Sequence, residues 1–401
     1  MKSNYEPLSK HIRLVDYRNS EEVTSTVLGI SIDKEFMPSV ANVIGTDLSR
    51  YKLISKGLFA CNPMHVGRDE RLPIALYEKD SPAIVSPAYF MFEIIDRDIL
   101  NEEYLMMWFR RPEFDRECWF MTDGSVRGGI TWDDLCRIKL PVPSYTRQCE
   151  IVESYRTITD RIALKRAEND NLRATAETEF FRLIRYPQIQ EAPSQDTEIG
   201  VYPSEWILTT LGQVLSTIID RRGLTPTKLG GEWSPDGIIA ISAKSVKNHE
   251  LINLDIANRV DRELYERWMP QKLQPHDILM TSEAPLGEFY FIADFSEYCL
   301  SQRLFAMRAN TEIVEPTVLY FQLTDSIGKH QIDIRKTGTT VTGIRQSELV
   351  QVPVILPPKQ VQQSFARFCN PIMLSIERNS AEIRALSKVK TMILAQLSSN
   401  S

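Results

Sequence analysis

The chain has 401 residues, enough for two or three domains that each bury their own core. Hydrophobic residues at 43%, charged residues at 25% and the lack of any low-complexity stretch exclude a disordered or fibrous protein, and no run approaches the ~18 apolar residues of a membrane span. The formal net charge of −6 excludes a grip on nucleic acid by overall charge, so any such grip must come from local basic patches or from a more basic partner.

The opening MKSNYEPLSKHIRLVDYRNSEE has no apolar core for a secretory signal, so a cytoplasmic location without membrane contact is expected. Residues 1–143 read as a mixed, β-rich domain with a helix at Asn101–Arg110 (NEEYLMMWFR). After LPVPSYTRQCEI (140–151), apolar residues fall at helical intervals: Ile151, Tyr155, Ile158, Ile162, then Leu172, Phe180 and Leu183. No proline or glycine interrupts Thr146 to Ile184, so this helix, assigned to 144–186, would run roughly 58 Å. Residues 187–203, rich in Pro, Gln and acids, are expected to be a surface linker.

A second β-rich domain follows at 204–357, with strand-like runs GIIAIS (237–242), HDILMT (276–281) and GEFYFIA (287–293) and a helix from Pro316 to Ser326. The closing stretch 358–401 repeats the helical pattern with Phe365, Phe368, Ile372, Ile376, Ile383, Leu386, Ile393 and Leu397.

The two halves are related by a fixed offset of 214. GITWDDL (129–135) aligns with GIRQSEL (343–349), keeping Gly129/Gly343, Ile130/Ile344 and Leu135/Leu349. Pro143/Pro357 and Gln148/Gln362 keep the same spacing, as do Gly124/Gly338, Ile162/Ile376, Glu168/Glu382 and Leu172/Leu386. The β-rich parts are only faintly alike, with KGLFACN (56–62) facing HDILMTS (276–282) and VSPAYFMF (85–92) facing LSQRLFAM (300–307). The expected fold class is α+β: two β-rich domains alternate with two long helices that pair as an antiparallel coiled coil, a pseudo-twofold internal repeat. Lys165, Asn169 and Asn379 would interrupt the apolar seam, costing stability while fixing register.

Equipment for catalysis is missing. There is no Asn/Asp-Pro-Pro-Tyr/Phe motif for methyl transfer to an amino group, the nearest string being CNPM at 61–64. Nor is there a phosphate-cradling Gly-x-x-x-x-Gly-Lys-Ser/Thr loop or a Glu-x-Lys tail of a nuclease site. The five histidines stand alone, and the six cysteines (Cys61, Cys118, Cys136, Cys149, Cys299, Cys369) lack zinc spacing. No catalytic residue and no metal are expected, and the thiols read as reduced and mostly buried.

Two variable domains, each followed by a helix that a proline-and-glutamine motif introduces, resemble the specificity subunit of type I restriction-modification systems. LPVPSYTRQCEIV (140–152), VPVILPPKQVQQSF (352–365), the Gly-Thr-Thr turn at 338–340 and WILTTLGQV (206–214) carry the resemblance, which spans essentially the whole chain. The usual Pro-Pro-x-x-Glu-Gln form is altered here to Pro143-Ser144 with Arg147-Gln148, and Val361 stands before Gln362.

The resemblance implies two target recognition domains that read the halves of a bipartite double-stranded DNA site, and helices that set their spacing. It also implies docking of two methyltransferase subunits, which carry S-adenosylmethionine, and of restriction subunits that use ATP and magnesium in phage defence; no cofactor is implied for this chain. The alternatives are, from another class, a stand-alone two-headed DNA-binding or structural protein without an enzyme partner, and a self-sufficient methyltransferase, which the missing motifs disfavour.

Base edges are read by Arg, Lys, Asn, Gln, Ser and Thr on loops, and phosphates are held by Lys and Arg. The candidates in the second domain are Arg221, Arg222, Lys228, Lys244, Lys247 and Asn248, with Lys329, Arg335 and Lys336 running into Thr339 and Thr340. In the first domain they are Asn62, His65, Arg68 and Arg71, with Ser125 and Arg127 at the equivalent Gly-Ser turn. Arg161, Lys165, Arg166 and Arg173 on the helix are either a solvated face or part of a docking platform.

Overall fold

The computed structural model of the chain describes residues 5–40, 45–64, 66–122, 128–187, 193–338 and 342–398. It mixes helix and sheet and divides into two compact units, residues 1–163 with 384–401, and residues 164–383. Both divisions fall inside long helices, Tyr145–Phe180 and Lys359–Gln396, so each unit holds part of each helix.

In the first unit the main sheet is antiparallel, in the spatial order Ile12–Leu14, Phe90–Ile94, Phe59–Cys61, Ile74–Leu76. A second sheet contains a parallel pair, Val27–Ile30 with Ala83–Val85, and Tyr5–Pro7 pairs with Lys139–Pro141. The core is aromatic: Phe59 stacks on Phe92 at 5.0 Å and Phe109 meets Phe59 edge-on at 6.0 Å. Val152 and Tyr155 of the first long helix and Leu394 and Leu397 at the end of the second belong to the same core.

The second unit has a main sheet ordered Leu215–Asp220, Leu304–Ala309, Ile278–Ser282, Leu286–Phe291, again antiparallel. Its parallel pair is Ile238–Ile241 with Tyr298–Leu300, and Ile207–Thr210 pairs with Pro353–Leu356. Every residue of Ile278–Ser282 is buried, as the unbroken apolar run ILM in a strand covered on both faces requires. Phe180, Phe321 and Phe365 bring both long helices and the short helix Pro316–Thr324 together, with centroids 5.5–5.8 Å apart.

Registers in the two main sheets correspond. Phe59 pairs with Phe92 and Leu76, as Ile278 pairs with Met307 and Phe291. This keeps VSPAYFMF opposite LSQRLFAM but shifts KGLFACN by one residue, setting Phe59 against Ile278 where the sequence alignment sets it against Leu279. Gly129 and Gly343 confirm the shift. A Cβ on Gly129 would lie 2.8 Å from the Pro63 carbonyl oxygen, and one on Gly343 2.9 Å from that of Ser282. The following amides, Ile130 and Ile344, donate to those same oxygens at 3.1 and 2.9 Å.

The two matched glutamines do identical work. Gln148, fully buried, accepts from the Asn101 amide at 2.9 Å and donates to the Ile99 and Pro143 carbonyls at 2.8 and 2.9 Å. Gln362, also buried, accepts from the Glu315 amide at 2.9 Å and donates to Ile313 and Pro357 at 3.3 and 2.8 Å. Asn101 and Glu315 are the N-caps of the short helices Glu102–Phe109 and Pro316–Thr324, which lie where the sequence pattern places them. Each glutamine therefore ties the first turn of a long helix to the start of a short one.

The expected linker differs from the structure over its described part. Ser194–Thr197 and Gly200–Pro203 form a hairpin, and Ile199, Tyr202 and Trp206 enter the core of the second unit. Buried Arg185 explains the docking, pairing with Asp325 at 2.5 Å and donating to the Tyr202 hydroxyl at 2.7 Å. Pro and acids dominate the composition of 187–203, while the apolar residues within its described part that reach the core are only two, Ile199 and Tyr202.

The polar residues of the long helices meet inside the second unit. Lys165 donates to Asn379 at 2.8 Å, Asn379 to Asn169 at 2.9 Å, and Asn169 to Ser380 at 3.3 Å.

Replacing Gln148 or Gln362 by Met keeps most of the volume but strands an amide and two carbonyls. Each substitution should cost roughly 3 kcal/mol in chemical denaturation. A loss below about 1 kcal/mol would show that packing, not hydrogen bonding, holds these helix starts.

Candidate nucleic-acid interface

In the second unit, three loops converge through Gln302. Its side chain donates to the Leu224 carbonyl at 2.7 Å and accepts from the Gly223 amide at 3.4 Å, while its carbonyl accepts from Ala243 at 3.1 Å. The loop after Leu215–Asp220 carries Arg222, whose guanidinium is bidentate on Asp220 at 2.9 and 2.8 Å and lies over the Phe305 ring at 4.0 Å. The Lys228 ammonium is held at 2.6 Å by the Gly223 carbonyl, and Arg221 is half-buried. Lys244 is exposed on a turn closed by a Ser242–Ser245 capping box.

Together these loops enclose an open cavity of about 680 Å³ whose lining includes Trp233, Lys244, Asn253, Asn258, Gln302 and Arg303. Glu283 pairs with Arg303 Nε at 3.1 Å on its rim. The Thr337–Gly343 bridge, which closes the turn containing Gly338, seats on Ser282 and Glu283.

Lys247 and Asn248 sit on a neighbouring hairpin tip. The Asn248 amide donates to Glu288 at 2.8 Å, and the next residue, His249, has its Nδ1 2.7 Å from the Tyr320 hydroxyl, itself 3.4 Å from Arg173 of the first long helix. Desolvation, helped by the positive Arg173 and Lys329, pushes the His249 pKa down to about 3. His249 is thus a neutral strut between the tip and the helix. Arg335 is held by Gln331 at 2.9 and 2.7 Å and Lys336 by Asp333 at 2.8 Å, on the segment leading into the Thr337–Gly343 bridge.

Residues 203–386 match the family model described as the type I restriction modification DNA specificity domain. The matched segment covers most of the second unit and most of the second long helix. Across the whole length, a solved type I restriction-modification S subunit from M. genitalium has a similar fold, with a TM-score of 0.59 at 11% identity over 99% of this chain and 96% of that one. A putative type I restriction enzyme MjaX specificity subunit from Methanocaldococcus jannaschii is 25% identical over 52% of this chain and 49% of its own, so the match spans about half of that relative's length.

Outside the matched segment, the first unit offers a sparser set. Asn62 caps its own turn, accepting from Met64 at 3.1 Å. Arg68 and Arg71, each about half exposed, pair with Asp69 and Asp33 at 2.7 and 3.2 Å. Such exposed pairs are weak enough to exchange for a phosphate. His65, Ser125, Arg127, Thr339 and Thr340 lie outside the described residues.

Sequence reasoning missed Trp233, Glu283, Gln302 and Arg303. No local cluster marks them, because folding alone gathers them. Among the described residues no group of His, Cys, Asp and Glu fits a metal ion, and no helix is long and apolar enough to cross a membrane. The six cysteines are free, and burial pushes the Cys299 and Cys369 thiols up to about 12 and raises those of Cys61 and Cys118 as well.

Below about pH 6.5 the unfolded chain binds a proton on His249 that the folded strut refuses, so stability falls as pH drops towards 3, by at most ~1.4 kcal/mol per pH unit. His249→Asn, which tolerates the left-handed backbone at φ 66° and still reaches for Tyr320, should flatten that part of the acid limb of a melting-temperature profile. An unchanged limb would mean other groups set it.

Proposed function

We propose that the chain is the DNA specificity subunit of a type I restriction-modification complex and is itself non-catalytic. Each unit presents one target recognition domain, and the two read the halves of a bipartite, asymmetric double-stranded DNA site. The long helices pair as an antiparallel coiled coil that fixes the gap between half-sites and docks two methyltransferase subunits, with restriction subunits joining them in the cytoplasm. S-adenosylmethionine belongs to the methyltransferase subunits and ATP with magnesium to the restriction subunits.

The observation that carries this reading is a common scaffold with divergent loops. Strand order, parallel pair, glycine seat and glutamine latch recur in both units, whereas Glu283 and Arg303 at the second unit's cavity stand where the first unit has Met64 and Ala88. A duplication preserves what builds the domain and frees what touches the ligand. Lys165 and Asn379, equivalent positions in the two copies, bond each other, which is the contact expected at the midpoint of an antiparallel pair of duplicated helices.

The test is to express the chain with an adenine methyltransferase subunit from the same host and sequence the methylated genome. Two different short blocks separated by a fixed unspecified gap are expected. A continuous palindrome would contradict two dissimilar readers, and methyl transfer from labelled S-adenosylmethionine to DNA by the purified chain alone would overturn the non-catalytic assignment. Sequence-specific DNA binding with no effect on any methyltransferase would favour the stand-alone reading.

A further inference from the structure

We infer that Arg303, braced by Glu283, reads a guanine in the half-site bound by the second unit; the assignment rests on the function proposed above. Guanine presents two acceptors, O6 and N7, on its major-groove edge, and the two-pronged end of an arginine matches them. Glu283 lies 3.1 Å from the Nε of Arg303, an ion pair that draws the guanidinium to that side and leaves its terminal nitrogens outward. Among the described residues, the two terminal nitrogens have no hydrogen-bond partner and remain available as the fork.

The carboxylate also decides what the arginine is for. A phosphate approaching Arg303 would meet the negative charge of Glu283, whereas the edge of a guanine is uncharged and is not repelled. Arg222 nearby is built differently. Its Nε and one terminal nitrogen are both held by Asp220, and its plane is stacked on Phe305. It is a structural arginine, and Arg303 is a presented one.

The surroundings suit a base. Trp233 and Ile256, 43% and 78% exposed, supply apolar and aromatic surface, and Asn253, Asn258 and Lys244 supply donors and acceptors in the same cavity. The backbone adds a further sign. Arg303 has φ 63°, a conformation in which glycine or asparagine would be the cheap choice if only the turn mattered.

The scaffold does not require the pair. By the sheet registers, Glu283 and Arg303 occupy the places of Met64 and Ala88 in the first unit, where no charge is present and the same strands form. A group present in one reader and absent from the other is what different target sequences demand.

The experiment uses the full chain with its methyltransferase partner and the host genome as the DNA. Methylated motifs are compared for the unaltered chain, Arg303→Ala, Arg303→Lys and Glu283→Gln. We expect both Arg303 variants to lose discrimination at a single guanine of one half-site by roughly 5- to 150-fold, with the other half-site unchanged. Lysine keeps the charge but not the fork, so it separates base reading from phosphate contact, and the intact half-site reports an assembled complex. Glu283→Gln should weaken the same position less.

An unchanged motif, or a lysine variant that behaves as the unaltered chain, would overturn the assignment alone. So would weakening spread evenly over all positions. Absence of any sequence-specific modification by the unaltered complex would overturn the proposed function, and the assignment with it.

Discussion

A primary amide buried at the first turn of a long helix must find partners for an acceptor and a donor group at once, and this requirement organises both units. Gln148 and Gln362 meet it by the same route, each closing on the amide that starts a short helix and on two carbonyls. Leaving these groups unpaired in a dry interior is costly, so each long helix starts in one fixed position against the short helix of its own unit. Any use of the helices as spacers depends on that fixity, because a helix free to pivot at its root would transmit no distance.

What surrounds the latch divides into scaffold and payload. The glycine seats, sheet orders and aromatic cores are common to the two units, and their chemistry is steric and hydrophobic. The loops are polar, differ between units, and in the second unit gather an arginine, a lysine, amides and an exposed tryptophan around one cavity. With a net charge of −6 the chain has little electrostatic attraction to spare for a duplex, so in the proposed function its loops would serve as readers rather than anchors. A basic partner supplying the anchoring would complete the proposed assembly.

The sequence made the scaffold legible and the payload not. Gln148 and Gln362, Gly129 and Gly343, and Pro143 and Pro357 sit in ungapped segments, so one offset exposes them. Within the β-rich parts the loops differ in length, the offset drifts, and a single-residue slip placed Phe59 against Leu279 instead of Ile278. The hairpin at Ser194–Pro203 was hidden because Tyr202 and Trp206 depend on Arg185 and Asp325, partners remote in the chain. Arg303 lay in plain view within LSQRLFAM as a scaffold residue. Only its pairing with Glu283, fixed by the strands on either side, distinguishes it from a solvated side chain.

The central proposition is that the paired helices act as a spacer between two readers. Inserting one heptad into each long helix, in register, would lengthen the pair by about 10 Å, or roughly three base pairs of duplex. Methylome sequencing of a host carrying the lengthened chain and its methyltransferase should then show the same two half-sites with the gap between them increased by about three base pairs. Unaltered half-sites with an unaltered gap would contradict the account.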